Sequence, residues 1–217
     1  QLILQSTPAV EGILRSMMAR DIAIAVDKAA VRGGGTNEPN GILETLGVQT
    51  ESYAVDIFST VADMVSKANV ANVDASRAIL TSHAVETIAL KSLDADGRPH
   101  GVAAVFHGIP TAFSNQVEAN VSPVADPLIY GDFSEVLIGM WSGLDVLVNP
   151  FAETPYTKGN VYLRAMATMD VTLRHPQAFV TTEVPANAVA TGSTGATSRT
   201  RVMAIGSTTG TGPSWEA

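Results

Sequence analysis

The chain has 217 residues, 46% of them hydrophobic and 16% charged, with a formal net charge of −8 and a pI near 4.9. That length fits one domain or two small ones with a real core, and the acidic balance, with no run of three Lys or Arg, argues against a free nucleic-acid module, which needs clustered positive charge. The absence of cysteine removes disulfide frameworks and thiolate metal sites, and no apolar stretch approaches the ~20 residues of a membrane-spanning helix.

The charged fraction is low against the ~25% usual for a globular chain. Either partners cover much of the surface, or Ser and Thr keep it wet; composition favours neither. The opening QLILQSTPAVEG lacks the basic region and long apolar core of a signal peptide, and it lacks an initiator Met. We therefore expect a chain that is trimmed, processed or only part of a longer one.

Ser6-Thr7-Pro8 is a helix-start signal, with Thr7 able to cap and Pro8 at the first helical position, where its missing N–H costs nothing. Glu11 follows near the positive end of the helix dipole. Val10, Leu14, Met18, Ile22 and Val26 recur every four residues, and Ile13, Met17 and Ala25 widen the stripe. Arg15, Arg20, Asp27 and Lys28 fall largely elsewhere. The pattern predicts an amphipathic helix of roughly 24 residues, about 36 Å long, with its apolar side buried. Gly33-Gly34-Gly35 should end it, supplying a left-handed cap, and Asn37 to Gly41 is a turn cluster. This glycine-rich stretch is not a phosphate cradle: in a P-loop the glycines precede the helix and a lysine follows them.

Further along, Ser59–Lys67 reads as a second helix, Ala78–Thr81 as a short buried strand, and His83–Leu90 as a helix. Leu93–Arg98 is a turn, and Thr111–Ser114 a strand after Gly108-Ile109-Pro110. Pro127–Asp132 and Glu135–Trp141 read as two strands or as a strand and a short helix, and Asp145–Pro150 as a strand ended by proline. Val161–Arg174 alternates with period two and predicts one long strand. After Val180 the texture turns to Thr, Ser, Gly, Ala and Pro, which reads as a low-complexity tail over 181–217 with room for one strand.

Candidate chemistry is sparse. Gly139-Met140-Trp141-Ser142-Gly143 sits one place off the nucleophile elbow G-x-S-x-G, so a turn serine is the better reading of Ser142. His83 and Glu86 share a helix face without a third metal ligand. His100, His107 and His175 are scattered. Asp94-Ala95-Asp96-Gly97 places its glycine too early for a calcium loop. No catalytic residue, cofactor-binding residue or metal ligand is expected.

Five segments, in order, carry a resemblance: LILQSTPAVEGILRSMMARDIAIAVDKAAVRGGGTNEPNGIL, ILTSHAVETIALKSLDADGRPHG, GIPTAFSNQV, PLIYGDFSEVLIGMWSGLDVLVNPF and VYLRAMATMDVTLRHPQAF. Over about residues 2–180 the chain resembles the major capsid proteins of tailed bacteriophages, the Hong Kong ninety-seven type. The resemblance implies an α+β fold. Its peripheral domain would combine 1–54, with a spine helix, and 148–180, with late strands; 55–147 would form an axial domain, and the glycine loop would be a hinge. It implies an icosahedral shell of pentamers and hexamers in the virion, assembled in the bacterial host cytoplasm. Scaffold, maturation protease and portal would be further partners, with DNA only as contents and no membrane. An acidic subunit would avoid clinging to that DNA. The N-terminal arm and extended loop of the family would lie upstream of Gln1, so no cross-linking residues are carried over. Two alternatives stay open: an encapsulin-like compartment of the same fold, and a hydrolase using Ser142 with a histidine.

Overall fold

The protein is described from a computed structural model, which covers residues 8–186, without 72–75, 94–95, 118, 122–123, 144 and 150–161, together with residue 188. Thr7, the expected cap, and the stretch 189–217 lie outside the described residues.

Helix α1 runs unbroken over Pro8–Arg32, 25 residues. The expected four-residue stripe is present, with Leu14, Met18, Ile22 and Val26 all partly buried. Its burial is shallower than the pattern predicts. Ile13 and Met17 are each 57% exposed, and Val31, in the last turn, is the helix residue that enters the core. In the single chain the helix is anchored by its C-terminal end.

That anchor corrects the reading of the glycines. The chain leaves Arg32, makes a loop and returns across the helix end. Gly33 N–H donates to the Ala29 carbonyl at 2.8 Å, Ile42 N–H to Ala30 at 2.9 Å and Leu43 N–H to Val31 at 3.0 Å. The returning segment thus satisfies carbonyls that a helix C-terminus leaves orphaned. Gly33 does not adopt the left-handed conformation; Gly35 (φ 73°) and Asn37 (φ 63°) do. Gly33 and Gly41 are needed for space instead: a Cβ on Gly33 would collide with the Pro39 carbonyl oxygen, and one on Gly41 would lie 2.5 Å from the Gly33 nitrogen. The loop, which the resemblance implied to be a hinge, is tied back to the helix end by these hydrogen bonds.

Helix α2 (Ile57–Val70) starts two residues before the expected Ser59, because Asp56 caps it by accepting from Ser59 N–H at 2.7 Å. Ile57, Thr60, Val61, Met64 and Ala68 form its buried face. Helix α3 (His83–Leu90) has the expected bounds, with Ser82 as cap, and a one-turn helix α4 spans Val102–Val105.

These helices cover one face of a mixed sheet. Its strands are β1 (Gln49–Thr50), β2 (Arg77–Thr81), β3 (Thr111–Phe113), β4 (Asn120–Val121), β5 (Val124–Asp132) and β10 (Phe179–Pro185). The order is β1-β10-β5-β2-β3, with β4 beside β5. The central strand β5 pairs antiparallel with β10 and with β2, while the outer pairs β1–β10 and β2–β3 are parallel. Alternation along β5 sends Leu128 and Tyr130 to the core under α2 and α3, and Ile129 to a second core on the other face. That second core gathers Val31, Ile42, Val117, Leu173, Ala178 and Phe179, with Phe133 edge-on to Phe179 at 5.6 Å.

Two sequence-based boundaries move. Residues 181–185 are not tail: Thr181–Pro185 finish β10, beside the central strand, and Val184 is fully buried. The boundary at 147/148 cuts through a strand. Strands β6 (Val136–Met140), β7 (Asp145–Asn149), β8 (Tyr162–Met166) and β9 (Met169–Leu173) form two successive two-stranded antiparallel sheets, β6 against β9 and β7 against β8, which follow one another as a ribbon.

The single long strand expected over 161–174 is broken at Ala167-Thr168. The Thr168 carbonyl accepts from both Trp141 N–H (3.0 Å) and Ser142 N–H (3.4 Å), which kinks the ladder. The alternation survives the kink. Residues 163, 165, 167 and 169 are half-buried and 171 and 173 buried, whereas 164, 166, 168, 170 and 172 are exposed.

Candidate assembly surface

Of the groups singled out for chemistry, the structure brings His83 to Glu86, and His100 and His107 to the Phe58 ring. Ser142 Oγ accepts from Thr168 N–H at 2.9 Å, bracing the kink. His83 Nδ1 lies 2.7 Å from Glu86 Oε2 on the outside of α3. His107, at φ 53°, donates from Nε2 to the Phe58 carbonyl at 3.0 Å and packs its ring 4.1 Å from the Phe58 ring, with His100 6.4 Å from that ring on a stacked plane. His175 precedes a short 3₁₀ turn at Pro176–Ala178. Gly97 (φ 76°) and the Leu93–Pro99 bridge make the expected turn, of which 94–95 lie outside the described residues. Among the described residues no group of three or more His, Asp or Glu could hold a metal ion, and no helix is long and apolar enough to cross a membrane.

Sequence reasoning missed one buried polar pair. Ser82 Oγ donates to Asp126 Oδ1 at 2.7 Å while also accepting from Val85 N–H at 3.4 Å, so it both caps α3 and ties it to β5. The two residues are 44 apart in the chain, so no local signal joins them. An open depression of about 560 Å³ lies between α2 and the Gly108–Pro110 turn, lined in part by Arg77, His107 and Tyr130. Its guanidinium is turned to the protein, with Arg77 Nη1 donating to Asn69 Oδ1 at 2.5 Å and to the Tyr130 hydroxyl at 3.3 Å.

The ionic contacts lock elements together. Lys67 Nζ on α2 donates to Glu51 Oε2 at 3.1 Å and to the Thr50 carbonyl at 2.5 Å, tying α2 to the end of β1. That hydrogen bond holds the Glu51 carboxyl below its usual value of 4.5. Burial, with help from Asp56, pushes the Tyr53 hydroxyl up. Arg32 Nη2 approaches Glu183 Oε1 at 3.9 Å, linking α1 to β10, and Arg174 Nε lies 3.1 Å from Glu135 Oε2 at the ribbon root.

What the surface does offer is apolar area at unusual exposure. On the ribbon Leu137 is 48% exposed, Ile138 56%, Met140 66%, Trp141 71%, Leu147 54% and Met166 40%. A two-stranded ribbon is marginal in water unless something packs on it, and large exposed patches mark contact surfaces. An α+β tile that carries such a ribbon offers an apolar surface of the kind that a partner covers.

The comparisons agree. Residues 1–184 match the model of the phage capsid family. The chain belongs to the phage capsid family. It is 27% identical over 180 residues to a major capsid protein of Halomonas phage phiHAP-1, a stretch that is 81% of this chain and 29% of the relative. The chain thus spans under a third of that relative's length. The fold is similar to the capsid of an empty GTA particle (TM-score 0.69, 21% identity, 85% of this chain and 70% of the other). It is also similar to a structure from Gordonia phage Cozz (TM-score 0.62, 19% identity, 84% and 66%).

Proposed function

We propose that this chain is the shell-forming part of a phage major capsid protein, whose copies associate into the icosahedral head that encloses DNA. The observation that carries the reading is the family match over residues 1–184; the apolar ribbon and the under-buried α1 support it. The work of such a subunit is association, many copies sharing weak repeated contacts that close under symmetry. On this reading pentamers and hexamers of the chain form the shell in the virion after assembly in the host cytoplasm. Scaffold, maturation protease and portal are its expected protein partners, and no catalysis by the chain is needed.

Electron microscopy of the full-length product tests it: closed shells are expected, and monomers or open rings under all assembly conditions would defeat it. Leu14→Asp or Met18→Asp places charge in the α1 stripe and should block shells while leaving a soluble chain; unchanged assembly would remove α1 from the argument. Nucleic acid in particles purified from infected cells supports a head, whereas particles filled with an enzyme would favour an encapsulin-like compartment.

A further inference from the structure

Asn40-Gly41 is the chain's one Asn-Gly pair, and it sits where the loop after α1 returns across the helix end. Asn-Gly is the dipeptide in which asparagine most readily modifies itself, because no Cβ hinders the glycine nitrogen. That nitrogen loses its proton and attacks the asparagine Cγ. The Cγ–Nδ2 bond breaks, the amide leaves as ammonia after taking up a proton, and a five-membered imide remains. Water then opens the imide at one of its two carbonyls. One opening gives aspartate; the other reroutes the chain through Cγ and gives isoaspartate.

The fold withholds both reacting groups. Gly41 is buried, and its N–H donates to the Gly33 carbonyl at 2.9 Å. Taking that proton would break a hydrogen bond and leave an anion against a carbonyl oxygen, away from water. The carboxamide is held over Gly35, where a Cβ would collide with Asn40 Oδ1 and lie 3.1 Å from its Cγ. Asn40 also forms an antiparallel bridge with Gly34. Closing the imide would turn the Asn40 backbone out of that extended bridge. Asp96-Gly97, which can form the same imide by losing water, has no such cover: nothing lies within 4 Å of a Cβ on Gly97.

The product does not fit the closed crossing. Isoaspartate adds one carbon to the main chain and leaves a carboxylate beside it. The Gly34–Asn40 bridge and the bonds from Gly41 to Gly33, Ile42 to Ala30 and Leu43 to Val31 are in consecutive register, so an extra atom between residues 40 and 41 breaks the sequence. No slack is available, since a single Cβ on Gly41 would already lie 2.5 Å from the Gly33 nitrogen. The new charge falls near Glu38, whose carboxylate accepts from Gly34 N–H at 2.9 Å, and like charges oppose reclosure.

We propose that Asn40 is a modification site guarded by the fold: its imide forms only while the crossing over the end of α1 is open, and the isoaspartyl product then prevents the crossing from closing. The device acts in the single chain and needs no partner. The test incubates the full, unassembled chain in mildly alkaline buffer, folded or in guanidinium chloride, and follows Asn40 by peptide mass mapping with isoaspartate detection. Conversion should be about tenfold or more slower in the folded chain, because only the open fraction reacts. Val31→Ala, which leaves the pair intact and removes core contact from the last turn of α1, should speed conversion in the folded chain. Chain refolded after conversion should melt below the parent, and Asn40→Gln taken through the same treatment should keep its melting temperature. Equal rates at Asn40 with and without denaturant would overturn the guard. Converted chain rich in isoaspartate that melts with the parent would overturn the one-way opening.

Discussion

Two glycine-to-alanine substitutions should move stability in opposite directions, and the difference can be worked from the loop that follows α1. At Gly41 a Cβ would lie 2.5 Å from Gly33 N, 2.6 Å from Arg32 N and 2.6 Å from Val31 C, all backbone atoms that cannot rotate away. The two chain segments must part. Overpacking of this kind costs about 1–3 kcal/mol. Parting them also strains the Ile42→Ala30 and Leu43→Val31 hydrogen bonds, at about 1 kcal/mol each. The sum is about 3–5 kcal/mol, which for a chain of this size lowers the melting temperature by about 6–20 °C. Gly12 is the control. It lies in the exposed part of α1 with nothing within 4 Å of a built Cβ. There alanine restricts the unfolded chain and should stabilise by about 0.5–1 kcal/mol. The assay is thermal melting of the unassembled chain by circular dichroism, at a concentration too low for association. If Gly41→Ala melts within 2–3 °C of the parent, about 1 kcal/mol or less, or if both substitutions shift the same way, the crossing-backbone account is wrong.

Two smaller predictions follow from the ties between elements. The Glu51 carboxyl is held below 4.5 by Lys67, so its contribution is present above that pH and fades as pH falls through the lowered value. Glu51→Gln should therefore cost under about 1 kcal/mol at neutral pH, since the pair is partly exposed, and nothing once acid has protonated the carboxyl; urea melts at both pH values measure this. Ser142→Ala removes the acceptor for Thr168 N–H and should cost about 0.5–1.5 kcal/mol, with no change in labelling by a serine-reactive probe. Labelling of the parent that disappears in the variant would revive the hydrolase.

Much of the local structure was legible. The bounds of α1 follow from Pro8 and the Gly33 region, those of α3 from its apolar pattern, and the in–out pattern of 163–173 from strict alternation. These are nearest-neighbour effects of backbone geometry and amphipathic period, and the order of the pieces carried the resemblance to phage capsids.

The tertiary structure decided everything that depends on chain segments far apart. Thr181 and Thr182 look like tail residues, and they are buried only because β10 inserts between β1 and β5. Gly33 and Gly41 are required by the close crossing of two backbones rather than by a left-handed turn. Trp141 is 71% exposed beside Gly139 because its N–H is bonded to the Thr168 carbonyl, 27 residues away. Local sequence encodes which residues alternate and where a helix stops. Which strands meet, and which apolar face is left exposed, is settled only when remote segments share the same core.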